Sequence, residues 1–151
     1  MDSFRAAAGR KLIGRDEAEE LGTVDHLLLD IERGRIAALV VGRGRKARLV
    51  DWAEVRSFGP DAVIVPGADA LRAPDGEREQ AAAAGDLDVT GKRVLSTSGT
   101  DLGVVSDVTF DPADGCVDVL HVGQDTVPAG ALRGIGSYAA VVDQGPPSPA
   151  S

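Results

Sequence analysis

One cysteine, two histidines and five aromatic side chains (three Phe, one Trp, one Tyr) among 151 residues leave little material for an enzyme centre or a metal cluster. With Cys116 alone, no internal disulfide can close and no thiolate cluster can form. No stretch approaches the roughly 20 consecutive apolar residues that a membrane-spanning helix needs. The first residues, Met1-Asp2-Ser3-Phe4-Arg5-Ala6, lack the basic start, apolar run and small-residue cleavage site of a secretory leader, so a cytoplasmic location is expected. Aromatics at 3% cannot fill a core, which must then be built from Val, Leu, Ile and Ala.

Basic charge is scarce in one half only. Residues 1–66 carry 11 basic and 11 acidic groups and residues 67–151 carry 5 and 13, so the net charge of -8 sits entirely in the second half. Duplex affinity rests largely on neutralising phosphates, and general DNA binding is not expected of such a chain.

What is abundant is apolar aliphatic residues and glycine. A hydrophobic fraction of 43%, a mean hydropathy of -0.03 and 19 glycines describe a folded chain of short strands and tight turns.

The glycines recur in register. Gly22-Thr23-Val24-Asp25, then Gly34, Ile36, Leu39, Val41 and Gly42, match Gly103-Val104-Val105-Ser106, then Gly115, Val117, Leu120, Val122 and Gly123. Upstream, Gly9-Arg10-Lys11-Leu12-Ile13 matches Gly91-Lys92-Arg93-Val94-Leu95. Downstream, Val50, Val55, Arg56, Phe58, Gly59, Ile64 and Val65 fall on Val127, Leu132, Arg133, Ile135, Gly136, Val141 and Val142. Beyond a one-residue adjustment upstream, the copies differ in length at one loop, where the first holds Gly42-Arg43-Gly44-Arg45-Lys46-Ala47-Arg48.

Each copy spells a strand near 23–31 (or 104–111), a glycine turn at 32–34 (or 113–115) and a second strand at 35–41 (or 116–122). A short strand, one helical turn at Trp52–Val55 (or Ala129–Leu132) and a closing hairpin follow. Five or six short strands in such a length imply a small closed or nearly closed barrel. Period-two reading points Leu27 and Leu29 inward and assigns Val24, His26, Leu28 and Asp30 to the outer face. It also places Leu39 and Val41 on one face of the next strand and Ile36 and Ala38 on the other. A strand apolar on both faces needs two covers, and the sister repeat is the nearest candidate for the second.

The fold expected is therefore all-β: two small barrels in tandem, packed as a pseudo-dimer because so small a unit is marginal alone. Repeat one spans 1–66 and repeat two 91–143. Residues 67–90 form a linker in which Asp75-Gly76-Glu77-Arg78-Glu79-Gln80 and four alanines carry helical tendency. The Pro-rich residues 144–151 read as a disordered tail.

Chemistry is sparse. His26 aligns with Asp107 and His121 with Val40, so the two histidines do not occupy equivalent places. Asp111-Pro112-Ala113-Asp114-Gly115 has acidic residues but lacks the later ligands of a calcium loop, and its counterpart Asp30–Gly34 marks it as a hairpin turn. No dinucleotide or Walker-type glycine loop is present. Neither catalytic residues, nor a cofactor, nor a metal site is expected. Arg43, Arg45, Lys46 and Arg48 form a basic hairpin tip that Arg33 and Arg35 are expected to join in space, a docking patch for an acidic partner. Trp52, the one tryptophan, is either an anchor for that partner or a core plug.

The pattern Gly99-Thr100-Asp101-Leu102-Gly103-Val104-Val105-Ser106-Asp107-Val108, the glycine hairpin, Val127-Pro128-Ala129 and Arg133-Gly134-Ile135-Gly136 resemble the PRC-barrel domain. This unit is named from the H subunit of the photosynthetic reaction centre and also occurs in the ribosome maturation factor. The resemblance covers most of 9–66 and 91–142. The first copy departs from it at Asp51, where the second has Pro128, and at Glu20-Leu21-Gly22. What the resemblance implies is contact between proteins, or assembly of ribosomes and membrane complexes, without catalysis. The expectation is a non-enzymatic interaction or scaffolding module whose partner is another protein or a second copy. The alternative is a ribosome- or RNA-associated assembly factor using residues 43–48.

Overall fold

A computed structural model describes residues 1–143, and the expected tail at 144–151 lies outside the described residues. Strand dominates. The first repeat contributes β2 (Lys11–Gly14), β3 (Glu19–Asp30), β4 (Arg35–Val41), β5 (Arg48–Asp51), β6 (Ser57–Phe58) and β7 (Ala62–Val65). The second contributes β8 (Arg93–Ser96), β9 (Asp101–Phe110), β10 (Val117–Val122), β11 (Asp125–Pro128), β12 (Leu132–Ile135) and β13 (Ala139–Val142). Ahead of both lie β1 (Asp2–Ser3) and the short α1 (Phe4–Ala7); between them lies α2 (Gly76–Ala83).

Strand order is the same in both sheets, β5-β4-β3-β2-β7-β6 and β11-β10-β9-β8-β13-β12, with β1 added to β9. The β2–β7 and β8–β13 pairs are parallel and the remaining ladders antiparallel. The sheets are open rather than closed barrels, since the end strands β5 and β6, or β11 and β12, do not pair with each other. On β5 the outer edge is taken instead by the linker: Leu49 and Arg72 exchange backbone hydrogen bonds of 2.8 and 2.9 Å. Single 3₁₀ turns at Trp52–Glu54 and Ala129–Ala131 stand where one helical turn per copy is expected.

Bulges change the faces. Ladder slips fall between Val24 and His26 and between Leu28 and Leu29 of the first hairpin, and at the equivalent places of the second. Each extra residue reverses the alternation beyond it. Val24, Leu27 and Leu29 therefore share the inner face with their partners Val41, Leu39 and Ile36. Assigning Val24 outward, and Ile36 to the face of Ala38, is corrected by these two slips. The remaining set, His26, Leu28, Ala38 and Val40, is also buried. Over His26 and Val40 the cover is the linker. Ala83 of α2 packs on Val40, Ala47 and Leu49, and the Ala82 carbonyl accepts from His26 Nε2 at 2.8 Å. Arg72 secures that strap, donating to Asp51 and Glu79 at 2.6–3.1 Å.

One apolar cluster runs through both repeats. Ile36 N–H donates to the Gly115 carbonyl and Val117 N–H to the Gly34 carbonyl, both at 2.9 Å. Ile36 is the repeat equivalent of Val117 and Gly34 of Gly115, so the two bonds are related by a local twofold. Four of the five aromatics line the same seam, with ring centroids 5.7 Å apart for Phe4–Phe110, 5.4 Å for Phe110–Phe58 and 5.6 Å for Phe58–Trp52. The leaders cross over as well. Asp2 and Ser3 pair with Phe110 and Thr109 of the second repeat, while Asp88, ahead of β8, lies beside Asp25 and His26 of the first.

Candidate partner-binding site

The six basic side chains expected to form one patch lie at two ends of β4. Arg35 opens that seven-residue strand and residues 43–48 follow its last residue, which separates them by roughly 20 Å at the usual rise per residue. A single docking patch that joins Arg33 and Arg35 to the hairpin tip is thereby corrected. At the near end, Arg33 N–H donates to Asp30 Oδ1 at 3.2 Å and Arg35 Nη2 donates to the Asp114 carbonyl at 3.2 Å. Arg35 thus braces the opposite repeat's turn.

At the far end the loop is partly consumed by its own architecture. A 3₁₀ turn spans Gly44–Lys46, and Arg48 Nη1 folds back onto the Ala47 carbonyl at 3.0 Å. Arg43 Nε donates to Asp25 Oδ1, raising the guanidinium's affinity for its proton through that hydrogen bond. Of the six candidate basic residues, only Arg45 and Lys46 have no hydrogen-bond or ion-pair partner for their side chains among the described residues.

Trp52 is half-buried at the seam. Its indole stands over Gly115, so close that a Cβ built there would lie 2.7 Å from Cε2. Of the two roles open to it in the sequence, this position is that of a plug between repeats.

The polar group that sequence reading passed over is built around Asp25. Its Oδ2 faces His26 Nδ1 at 2.8 Å while Oδ1 accepts from Arg43. These hydrogen bonds lower the Asp25 pKa against the opposing effect of burial. Both His26 nitrogens thus face acceptors, Asp25 on one side and Ala82 on the other. Asp88 joins the same cavity of about 230 Å³ with Phe4, Arg5 and Thr90, and burial pushes its carboxyl up. The signal available in sequence was the Asp25-His26 pair beside a bulge; the approach of residues 82–90, over 50 positions away, carried none. The cluster ties strand, strap and basic loop together.

Other candidates resolve locally. His121 pairs across the ladder with Asp107, and His26 with Val40. In the acidic turn, Asp111 Oδ1 accepts from Ala113 N–H and Asp114 Oδ1 from Cys116 N–H, both at 2.9 Å. The Cys116 thiol is exposed, and the neighbouring Asp114 carboxylate pushes its pKa up, away from thiolate chemistry. No cluster of three or more potential ligands for a metal ion occurs among the described residues. No described helix is long and apolar enough to cross a membrane.

An open groove of about 530 Å³ remains between α2, the turn after β3 and the edge strand β12 of the second repeat. Its lining mixes apolar Leu28, Leu29, Ile31, Ala37 and Ile135 with charged residues of both signs, Asp30, Glu32 and Glu79 beside Arg78 and Arg133.

Two open sheets with the same strand order define a tandem β-repeat protein. The PRC-barrel domain profile matches residues 4–72 and 86–130, and the chain belongs to the PRC-barrel family. No curated protein matches the chain.

Proposed function

We propose that this chain is a non-enzymatic interaction or scaffolding module, in which two PRC-barrel repeats act as a pseudo-dimer that holds divergent surfaces in fixed relation. The observation that carries this reading is the seam. Hydrogen bonds between equivalent turns, the line of aromatics and the crossed leaders commit four of the five aromatic side chains to joining the repeats. What differs between the copies lies outside that shared core, in the basic loop, the strap over the first sheet and the groove beside it. A rigid frame with unequal faces suits a protein that positions partners.

The ribosome- or RNA-associated alternative has weaker support. With Arg43 and Arg48 engaged in the fold, two free cations are too few for the phosphate neutralisation on which such binding depends. The test is affinity capture on the full chain from its native host with mass spectrometry, before and after nuclease and high salt. A protein partner retained through nuclease treatment supports the module. Ribosomal material that nuclease and salt remove would support the alternative.

A further inference from the structure

We infer that the groove beside residues 28–32 is a slot for an extended segment of a partner protein, which adds as a short strand to the free edge of β3 and sets a carboxylate against Arg78. The inference rests on reading the chain as an interaction module and gives that module its docking site.

The internal duplication supplies the precedent. In the second repeat, β8 covers the edge of β9 only as far as Val104, and the edge at Thr109 and Phe110 is completed by β1. In the first repeat, β2 covers the edge of β3 only as far as Thr23. The equivalents of Thr109 and Phe110 are Leu28 and Leu29, which pair with Ala38 and Ile36 of β4 on one side. On the other side no described strand pairs with them. The place that β1 fills against β9 is, against β3, the open groove of about 530 Å³. The reason for the difference is the linker: its chain arrives as the helix α2, which lies over the outer face of the sheet and does not run along the edge.

The lining matches an extended peptide. β-strand addition takes affinity from main-chain hydrogen bonds and selectivity from pockets for alternate side chains. Leu28, Ile31, Ala37 and Ile135 offer an apolar floor for one set of side chains. The rim decides the charge of the other set. Of the three rim carboxylates, Asp30 lies 3.8 Å from the Arg33 guanidinium and Glu79 is held by Arg72, which leaves Glu32. Arg78 is exposed and has no ion-pair partner among the described residues, whereas Arg133 donates to the Gly130 carbonyl at 2.9 Å and reaches Asp143 at 3.4 Å. Arg78 is thus the rim cation left to a ligand and favours a carboxylate opposite it, with Glu32 opposing.

The test uses the full-length chain, isotope-labelled, titrated with a capped hexapeptide of alternating valine and aspartate and followed by amide chemical shifts. Saturable shifts confined to residues 28–32, 78–79 and 133–135 are expected. Replacing aspartate by lysine in the peptide, or Arg78→Glu in the protein, should each weaken binding about tenfold. Methylating alternate peptide nitrogens should abolish it in one of the two registers, because strand addition needs those donors. Arg78 is on the surface, and a circular dichroism spectrum unchanged in the variant shows that the fold is kept. Absence of saturable shifts, equal binding of the lysine peptide, or shifts centred elsewhere overturns the slot. Binding seen only after deletion of 144–151 overturns the partner in favour of the chain's own C-terminal segment, and shifts on both components with a doubled mass overturn it in favour of a second copy. The two readings separate cleanly. A captured partner that Arg78→Glu with Ile31→Lys does not release sinks the slot and leaves the module standing, whereas peptide binding without any captured partner does the reverse.

Discussion

Gly34 and Gly115 occupy equivalent turns with φ of +64° and +78°, and only one of them touches an aromatic ring. Substituting alanine at Gly34 forces an L-residue into the left-handed region and meets nothing within 4 Å. The expected loss is about 1 kcal/mol, with part of the strain offset by a less flexible unfolded chain. At Gly115 the same backbone cost applies, but the new methyl stands 2.7 Å from Trp52 Cε2 and 3.0 Å from Nε1. The indole must move at the centre of the seam, adding about 1–3 kcal/mol of overpacking. Gly115→Ala should therefore be less stable than Gly34→Ala by that increment, because the backbone and unfolded-state terms are common to both and cancel. Urea unfolding followed by far-ultraviolet circular dichroism measures both, and the single tryptophan reports the displacement independently. A double-mutant cycle with Trp52→Leu should recover most of the increment. Equal losses at the two glycines, or no coupling to Trp52, would refute the packing of Trp52 against the opposite repeat.

Phe4→Ala removes a ring buried against Phe110 and should cost about 3–5 kcal/mol in urea unfolding; a loss below 1 kcal/mol would place the leader off the second repeat. Arg10 bonds Asp2 bidentately at 2.7 and 3.0 Å and holds that carboxyl below its usual 3.8. A depressed folded pKa contributes stability that is present above the ordinary value and lost as pH falls through the folded one. Arg10→Met should thus lose about 3 kcal/mol at neutral pH and show a flatter acid limb below pH 4, measured by urea midpoints across pH. Asp88 has the opposite sign: burial raises its folded pKa, so its ionisation opposes folding once pH exceeds the ordinary 3.8. Asp88→Asn keeps an acceptor for Thr90 N–H and should be more stable than the parent at pH 7 by up to about 1 kcal/mol, a gain absent near pH 3. A destabilised Asp88→Asn at pH 7 would contradict that sign. Arg72→Gln should speed amide exchange in residues 76–83 while leaving β9 protected, since both carboxylates that pin α2 lose their guanidinium.

Much of the fold was legible because glycine marks turns. The positions that recur, Gly22 and Gly103, Gly34 and Gly115, Gly42 and Gly123, all have positive φ, so backbone geometry holds them in register while loops drift. Strand faces were legible only as far as the first bulge. A bulge inserts one residue without a compositional mark, and Asp25 and Ala37 look like any strand residue, so the alternation of Val24 and Ile36 was read on the wrong side. The basic residues were legible as a group in sequence but not in space. A seven-residue strand lies between Arg35 and Arg43, and local ion pairs with Asp30 and Asp25 disperse the rest. The strap was the least visible element. Eight residues with an uncapped Asp75 have no reason to be helical alone, and they persist because Ala82 and Ala83 find the face of Val40 and Leu49.

The account stands most directly on the two repeats being one cooperative body. Residue-resolved amide exchange across a urea titration measures this, with β3 reporting the first repeat and β9 the second. The seam predicts that the slowest amides of both strands open together, with one free energy and one dependence on urea. Opening of β9 at a free energy lower by more than about 2 kcal/mol, with β3 still protected, would contradict it.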